Sequence, residues 1–176
     1  MKKILQKEER VLRQIAQEVP INEIGTSKIK KILKEMAKAL EEQSDGVAIA
    51  APQIGYPLRI FLVSGKIFDK DFTENQKEEP SEKKEINHLV FINPKILKLS
   101  REKKWVPEGC LSVRWLYGKT NRSTKATVEA LDENGKKFTR GGSDLLAQIF
   151  QHETDHLNGI LFIDHAKEIK EENPKQ

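Results

Sequence analysis

The chain has 176 residues, enough to bury a real core as one domain, and a formal net charge of +4. No stretch is apolar enough to span a bilayer, and the polar start Met1-Lys2-Lys3-Ile4-Leu5-Gln6-Lys7 has no signal-peptide core. The single cysteine excludes an intramolecular disulfide and points to a reducing, cytoplasmic location.

In chain order, Glu8 to Gln17 reads as a short helix. Thr26 or Ser27 then caps a longer one, with Ile29, Ile32, Leu33, Met36, Ala39 and Leu40 at helical spacing and an end near Gln43-Ser44-Asp45-Gly46. Arg59 to Val63 and Leu89 to Ile92 read as strands. Residues 66–87 between them are charge-dense without an apolar period, which predicts a variable surface loop. Asn93-Pro94 is expected to end the second strand, with Lys95 to Leu99 forming another. Thr124 to Leu131 alternates into a strand. Asp132-Glu133-Asn134-Gly135 reads as a hairpin turn, and Lys136 to Thr139 returns. After the Gly141-Gly142 breaker, Ser143 or Asp144 caps a helix carrying Leu145, Leu146, Ile149, Phe150 and Leu157, stopped at Asn158-Gly159. Ile160 to Ile163 is expected to be a short strand, and residues 165–176 a charged tail. Strands scattered around two main helices predict an α+β fold, with small antiparallel β-sheets wrapped around the second helix.

That helix carries His152-Glu153-Thr154-Asp155-His156. On a helix, residues four apart share a face, so His152 and His156 can grip one metal ion. Glu153 sits beside the first ligand and can reach a water on that ion, whose pKa the metal lowers. Read blandly, the same pattern is a helix with two exposed histidines. A catalytic site needs a third ligand. Asp164, Glu168, Glu171 and Glu172 lie downstream. Upstream, Cys110 lies in Pro107-Glu108-Gly109-Cys110-Leu111-Ser112, between two strand-like runs, where Gly109 permits close backbone approach. A lone cysteine is ordinarily a small buried hydrophobe, so spacing alone leaves the third ligand open.

Three segments together resemble peptide deformylases: Gly46-Val47-Ala48-Ile49-Ala50-Ala51-Pro52-Gln53-Ile54-Gly55, Glu108-Gly109-Cys110-Leu111-Ser112 and Gln151-His152-Glu153-Thr154-Asp155-His156-Leu157. Their order and spacing also match, and the resemblance covers nearly the whole chain. It implies a metal-dependent hydrolase that removes the formyl group from the initiator methionine of nascent chains. It implies Cys110, His152 and His156 as ligands of one divalent ion, Fe(II) in the cell. Sequence does not separate Fe(II) from Zn(II), Ni(II) or Co(II). Glu153 becomes the acid–base, and Gln53 and the Leu111 N–H become oxyanion donors. The resemblance gives a methionine pocket of Val47, Val106, Leu145, Ile149 and the His152 ring, and adds Gly46, Ala48, Glu108 and Gly109 to the substrate-binding residues. Arg122 is the expected partner of Glu108.

Two positions depart from the family pattern. Ala48 stands where glycine is usual, and Arg114 stands where proline commonly follows Ser-Val, ahead of a bulky Trp115-Leu116-Tyr117 rim. The expected partners are N-formylmethionyl nascent peptides, with no membrane and no DNA, and the expected state is a monomer. Basic residues crowd Lys95 to Lys125, opposed by Glu102 and Glu108. This reads first as solvated surface, and more sharply as a face in transient ribosome contact. Other readings are a metallopeptidase with a downstream carboxylate ligand, or an inactive homologue that binds without turnover.

Overall fold

The computed structural model describes residues 2–69 and 87–173, so most of the expected 66–87 loop and the last residues of the tail lie outside the described residues. The described elements are α1 (Ser27–Glu41), β1 (Ala48–Ala50), β2 (Ile60–Val63), β3 (Leu89–Leu99), β4 (Lys103–Gly109), β5 (Leu116–Ser123), β6 (Lys125–Leu131), β7 (Lys137–Ser143), α2 (Asp144–Leu157) and β8 (Lys167–Glu171). Five strands form an antiparallel sheet in the order β1-β2-β3-β6-β7, and three form a second, β4-β5-β8.

The core follows from two helical stripes applied to one sheet. Helix α1 buries Ile29, Ile32, Met36, Ala39 and Leu40 against Ile49, Ile60, Leu62 and Ile92 on one face. Helix α2 buries Ala147, Phe150 and Leu157 against Ala50, Phe61, Val63, Phe91 and Val128 on the other. Strand β2 is therefore buried on both faces, which is why Ile60 to Val63 runs apolar without alternation. Phe61 stacks on Phe91 with centroids 4.6 Å apart, and Phe150 meets Phe91 edge-on at 5.4 Å. Thr26 is the cap of α1, accepting from Ile29 N–H. The β6–β7 turn is closed by Asp132, whose Oδ1 accepts from the N–H groups of Asn134 and Lys136 at 2.9 and 2.8 Å.

Several local expectations fail for tertiary reasons. Glu8 to Gln17 holds one 3-10 turn, Arg10–Arg13, rather than a helix. Ala16 and Gln17 are drawn straight by backbone bonds to Leu157 O and Pro57 O, both 2.9 Å. Asn93-Pro94 does not end β3. Asn93 takes φ 51, the register shifts between Ile92 and Lys95, and its side-chain amide bonds both the N–H and C=O of Val19 at 2.8 Å. Ile160 to Ile163 is not a strand. Phe162–Asp164 is a 3-10 turn pinned by Leu161 N–H donating to Asp164 Oδ2 at 3.0 Å. Part of the charged tail is ordered: β8 pairs with β5, Leu116 opposite Glu171 and Tyr117 opposite Lys170. Gly141 and Gly142 belong to β7 rather than to a break.

Candidate active site

Helix α2 leaves the sheet at Ser143, which sits at the N-cap without a side-chain bond, while Asp144 starts the helix at φ 49. The helix stops at Asn158. Gly159 follows at φ 73, and a Cβ there would lie 2.7 Å from Arg13 O, so glycine is required twice over. Gln151 ties the helix to β5. It accepts from Ser123 N–H and donates to Ser123 O, each at 3.0 Å. This fixes the rotation of the next turn, which holds His152, Glu153 and His156.

Cys110 follows β4 and meets that turn. Gly109 opposes Tyr117 in the β4–β5 ladder, and a Cβ on it would fall 2.7 Å from the Tyr117 ring. Cys110 Sγ lies 3.2 Å from His156 Nε2, and one donor atom from each of Cys110, His152 and His156 lies within 4.8 Å of the others. Metal–nitrogen and metal–sulfur bonds of about 2.0 to 2.3 Å accommodate donor atoms spaced in this way. Thiolate plus two imidazoles is also a coherent donor set for a divalent transition ion. The downstream carboxylates do not join it. Asp164 pairs with Arg13 at 2.6 Å and Glu168 with Lys119 at 2.8 Å.

Behind the histidines lies a buried ion network. His152 Nδ1 donates to Glu108 Oε1 at 2.7 Å, which leaves Nε2 toward the donor cluster. Arg122 grips the same carboxylate through Nη2 at 2.6 Å and Nε at 3.0 Å, and reaches Asp155 Oδ2 through Nη1 at 2.7 Å. Thr120 Oγ1 donates to Glu108 Oε2 at 2.6 Å. Burial alone would raise the Glu108 pKa, but the bonds from His152 and Arg122 hold it well below the usual carboxylate range. Burial would lower His152, and its bonds to Cys110 and Glu108 raise it instead. Burial and the neighbouring His152 charge lower His156, keeping its imidazole neutral.

Glu153 is different. It is buried, its Oε2 has no hydrogen-bond partner among the described residues, and burial pushes its pKa up to about 7 against the opposing charge of His152. Gln53 lies in the 3-10 turn Ala51–Ile54 after β1. Its Oε1 accepts from Ala50 N–H at 2.8 Å, so it does serve its own turn. Its Nε2 donates to Ser112 Oγ at 3.0 Å and lies 3.7 Å from Cys110 Sγ.

A cavity of about 430 Å³ opens onto these groups. Of the residues expected there, Gly46, Val47, Ala48, Gln53, Glu108, Gly109, Cys110, Leu111, Leu145, Ile149, His152 and Glu153 line it. Val106 does not. It sits opposite Thr120 in the β4–β5 ladder, and the wall there is Pro107 with Gln148, whose amide donates to Pro107 O at 2.8 Å. Sequence reasoning missed Thr120, Gln148, Gln151 and Asp155. Gln151 and Asp155 carried a signal, since both stand inside the segment from Gln151 to Leu157. Thr120 and Gln148 are ordinary polar residues until the fold supplies partners. The basic run also changes character, because Arg114 and Arg122 are engaged with Asp45 and Glu108.

The model of the family described as polypeptide deformylase matches residues 1–172. A chloroplastic peptide deformylase 1A of Solanum lycopersicum is 36% identical over 154 residues, 88% of this chain. The chain spans 55% of that relative's length. A peptide deformylase of Borreliella burgdorferi is 43% identical over 141 residues, 80% of this chain and 74% of the relative. A class I type b peptide deformylase from Acinetobacter baumannii, solved with Met-Ala-Ser bound, superposes with a TM-score of 0.78 at 32% identity, covering 93% of this chain and 97% of the other.

Proposed function

This chain belongs to the peptide deformylase family, and from that premise we propose how its residues remove the formyl group from an N-terminal methionine. Cys110, His152 and His156 hold one divalent ion, which when bound supplies Lewis acidity toward water and the formyl carbonyl. The observation that carries the reading is the convergence of these three donors with Glu153, whose buried Oε2 has no protein partner among the described residues. Glu153 takes a proton from the attacking water at Oε2 and delivers it to the leaving amine nitrogen. A carboxylate held near neutrality suits both halves of that task.

Gln53 and the Leu111 N–H donate to the formyl oxygen as it gains charge. Anchored through Oε1 to Ala50 and through one Nε2 hydrogen to Ser112, Gln53 keeps its second N–H on the Cys110 side. Such preset donors are worth about 3 kcal/mol of barrier each. Val47, Leu145, Ile149 and the His152 ring form the apolar wall for the methionine side chain. Gly46, Ala48, Glu108 and Gly109 flank the peptide. The network of Glu108, Arg122 and Asp155 positions His152 and takes no proton from substrate.

A thiolate ligand donates more charge than imidazole and suits a soft, redox-active ion, so Fe(II) is the proposed metal, with Zn(II), Ni(II) and Co(II) as substitutes. Among the described residues no helix is long and apolar enough to cross a membrane. The proposed setting is the cytoplasm, as a monomeric single catalytic domain acting on nascent N-formylmethionyl chains. The exposed lysines of β3 and β4 support transient contact with the ribosome.

The test measures formate release from formyl-Met-Ala-Ser together with metal content, for the wild type and Glu153→Ala. The wild type should turn over. The variant should keep its metal and lose about 10²-fold or more in kcat, the scale of acid–base catalysis. Metal loss with the substitution, or near-normal turnover, contradicts the assignment.

A further inference from the structure

Arg114 bridges the mouth of the cavity. Its Nη1 donates to Asp45 Oδ2 at 2.6 Å, and its Nη2 donates to Asp45 Oδ1 at 2.9 Å and Gln43 Oε1 at 3.2 Å. Asp45 leads directly into Gly46-Val47-Ala48, one lip of the cavity. Arg114 belongs to the segment that follows Cys110, the other lip, and both residues line the cavity. Each lip is anchored separately. Gln6 accepts from Arg114 N–H at 3.2 Å and donates to Leu111 O at 3.1 Å. Lys66 Nζ donates to Ser44 O at 3.1 Å. Among the described residues, no other hydrogen bond joins residues 43–46 to residues 110–117.

The two ends of the cavity differ. Glu153 is buried, whereas the Asp45 side chain is 54% exposed, so the bridge stands at the solvent end. A bidentate guanidinium–carboxylate pair fixes orientation as well as distance. The Arg114 guanidinium also lies 4.8 Å from the centre of the Trp115 ring, a contact that restrains it further.

We propose that the Asp45–Arg114 bridge is a positioning device for the substrate: it holds the two lips at the separation that grips the residues after the methionine. The inference rests on the deformylase reading of the cavity, in which a peptide with its formyl group beside Glu153 sends its following residues out between these lips. The bridge touches no reacting atom, so its effect falls on peptide affinity and not on the chemical step.

Asp45→Asn, Arg114→Gln and the double variant separate the possibilities. Each single variant should raise KM for formyl-Met-Ala-Ser by about three- to ten-fold, with kcat within about two-fold of wild type. The double variant should raise KM no further than a single one, because the residues act through each other. The Kd of the product peptide Met-Ala-Ser, measured by calorimetry, should follow the same pattern without depending on turnover. Unchanged KM and Kd, additive effects, or a loss confined to kcat would overturn the proposal. A wild type that releases no formate contradicts the deformylase reading instead, and the Met-Ala-Ser affinities still decide the bridge.

Discussion

Cys110 is the ligand whose chemistry is easiest to change by one atom. Serine in its place is a neutral hydroxyl that does not match a thiolate donor at neutral pH. Cys110→Ser should therefore lower metal affinity by an order of magnitude or more, read by competition with a chelator. The wild-type thiolate should also be the point of oxidative attack, so peroxide should inactivate the iron form faster than the zinc form. Full metal occupancy and activity in Cys110→Ser would return the third-ligand role to a carboxylate, although Asp164 and Glu168 are committed to Arg13 and Lys119. Glu108 makes a prediction about the metal-free protein. Its folded pKa lies below the free value of 4.5, so its stabilisation is complete above that pH and fades as pH falls through and below it. His152 has the opposite sign. Its folded pKa is raised above 6.5, so its contribution is complete below that pH and is lost as pH rises past it. Chemical denaturation of the metal-free protein across the acid range should show the first limb, and Glu108→Gln should flatten it.

At the scale of elements, the buried pairing of β4 and β5 with α2 is the vulnerable joint. Glu108→Ala leaves the Arg122 guanidinium, which is 7% exposed, with Asp155 as its remaining carboxylate partner, and takes the acceptor from His152 and Thr120; it should cost about 2–3 kcal/mol in denaturant unfolding. Phe150→Ala, which removes the α2 ring from the aromatic cluster on the large sheet, should cost about 3–5 kcal/mol. An unchanged midpoint in Glu108→Ala would mean that the β4–β5 joint with α2 adds no stability, and one in Phe150→Ala that the packing of α2 on the large sheet adds none. Of these elements α2 was legible in the sequence, whereas β4 and β5 were not read as named strands. Helix α1, helix α2 and the turn at Asp132 announce themselves through period, caps and turn residues, because those signals are local. Two residues of the donor cluster were legible for the same reason, since His152 and His156 lie on one helical face, whereas Cys110 was singled out by the resemblance because its spacing left the third ligand open. What stayed hidden depends on distant partners. Strand β8 is exposed along its length and so has no apolar alternation to read. Asn93 keeps β3 running through Asn93-Pro94 only because Val19 is there to receive its amide. The Thr120 and Gln148 contacts to Glu108 join residues far apart in sequence.

For the whole molecule, the large sheet carries α1 on one face and α2 on the other, and the small sheet brings Cys110 to the face of α2 that holds His152, Glu153 and His156. This leaves one cavity that joins an apolar wall, the donor cluster and a buried carboxylate. A cavity with these parts hydrolyses an amide selectively when its carbonyl end accepts hydrogen and excludes carbon. The most direct measurement gives the anaerobically iron-loaded protein formyl-Met-Ala-Ser and acetyl-Met-Ala-Ser side by side, and quantifies formate and acetate. Formate should come from the first and no acetate from the second. No formate, or acetate at a comparable rate, would contradict the deformylase reading.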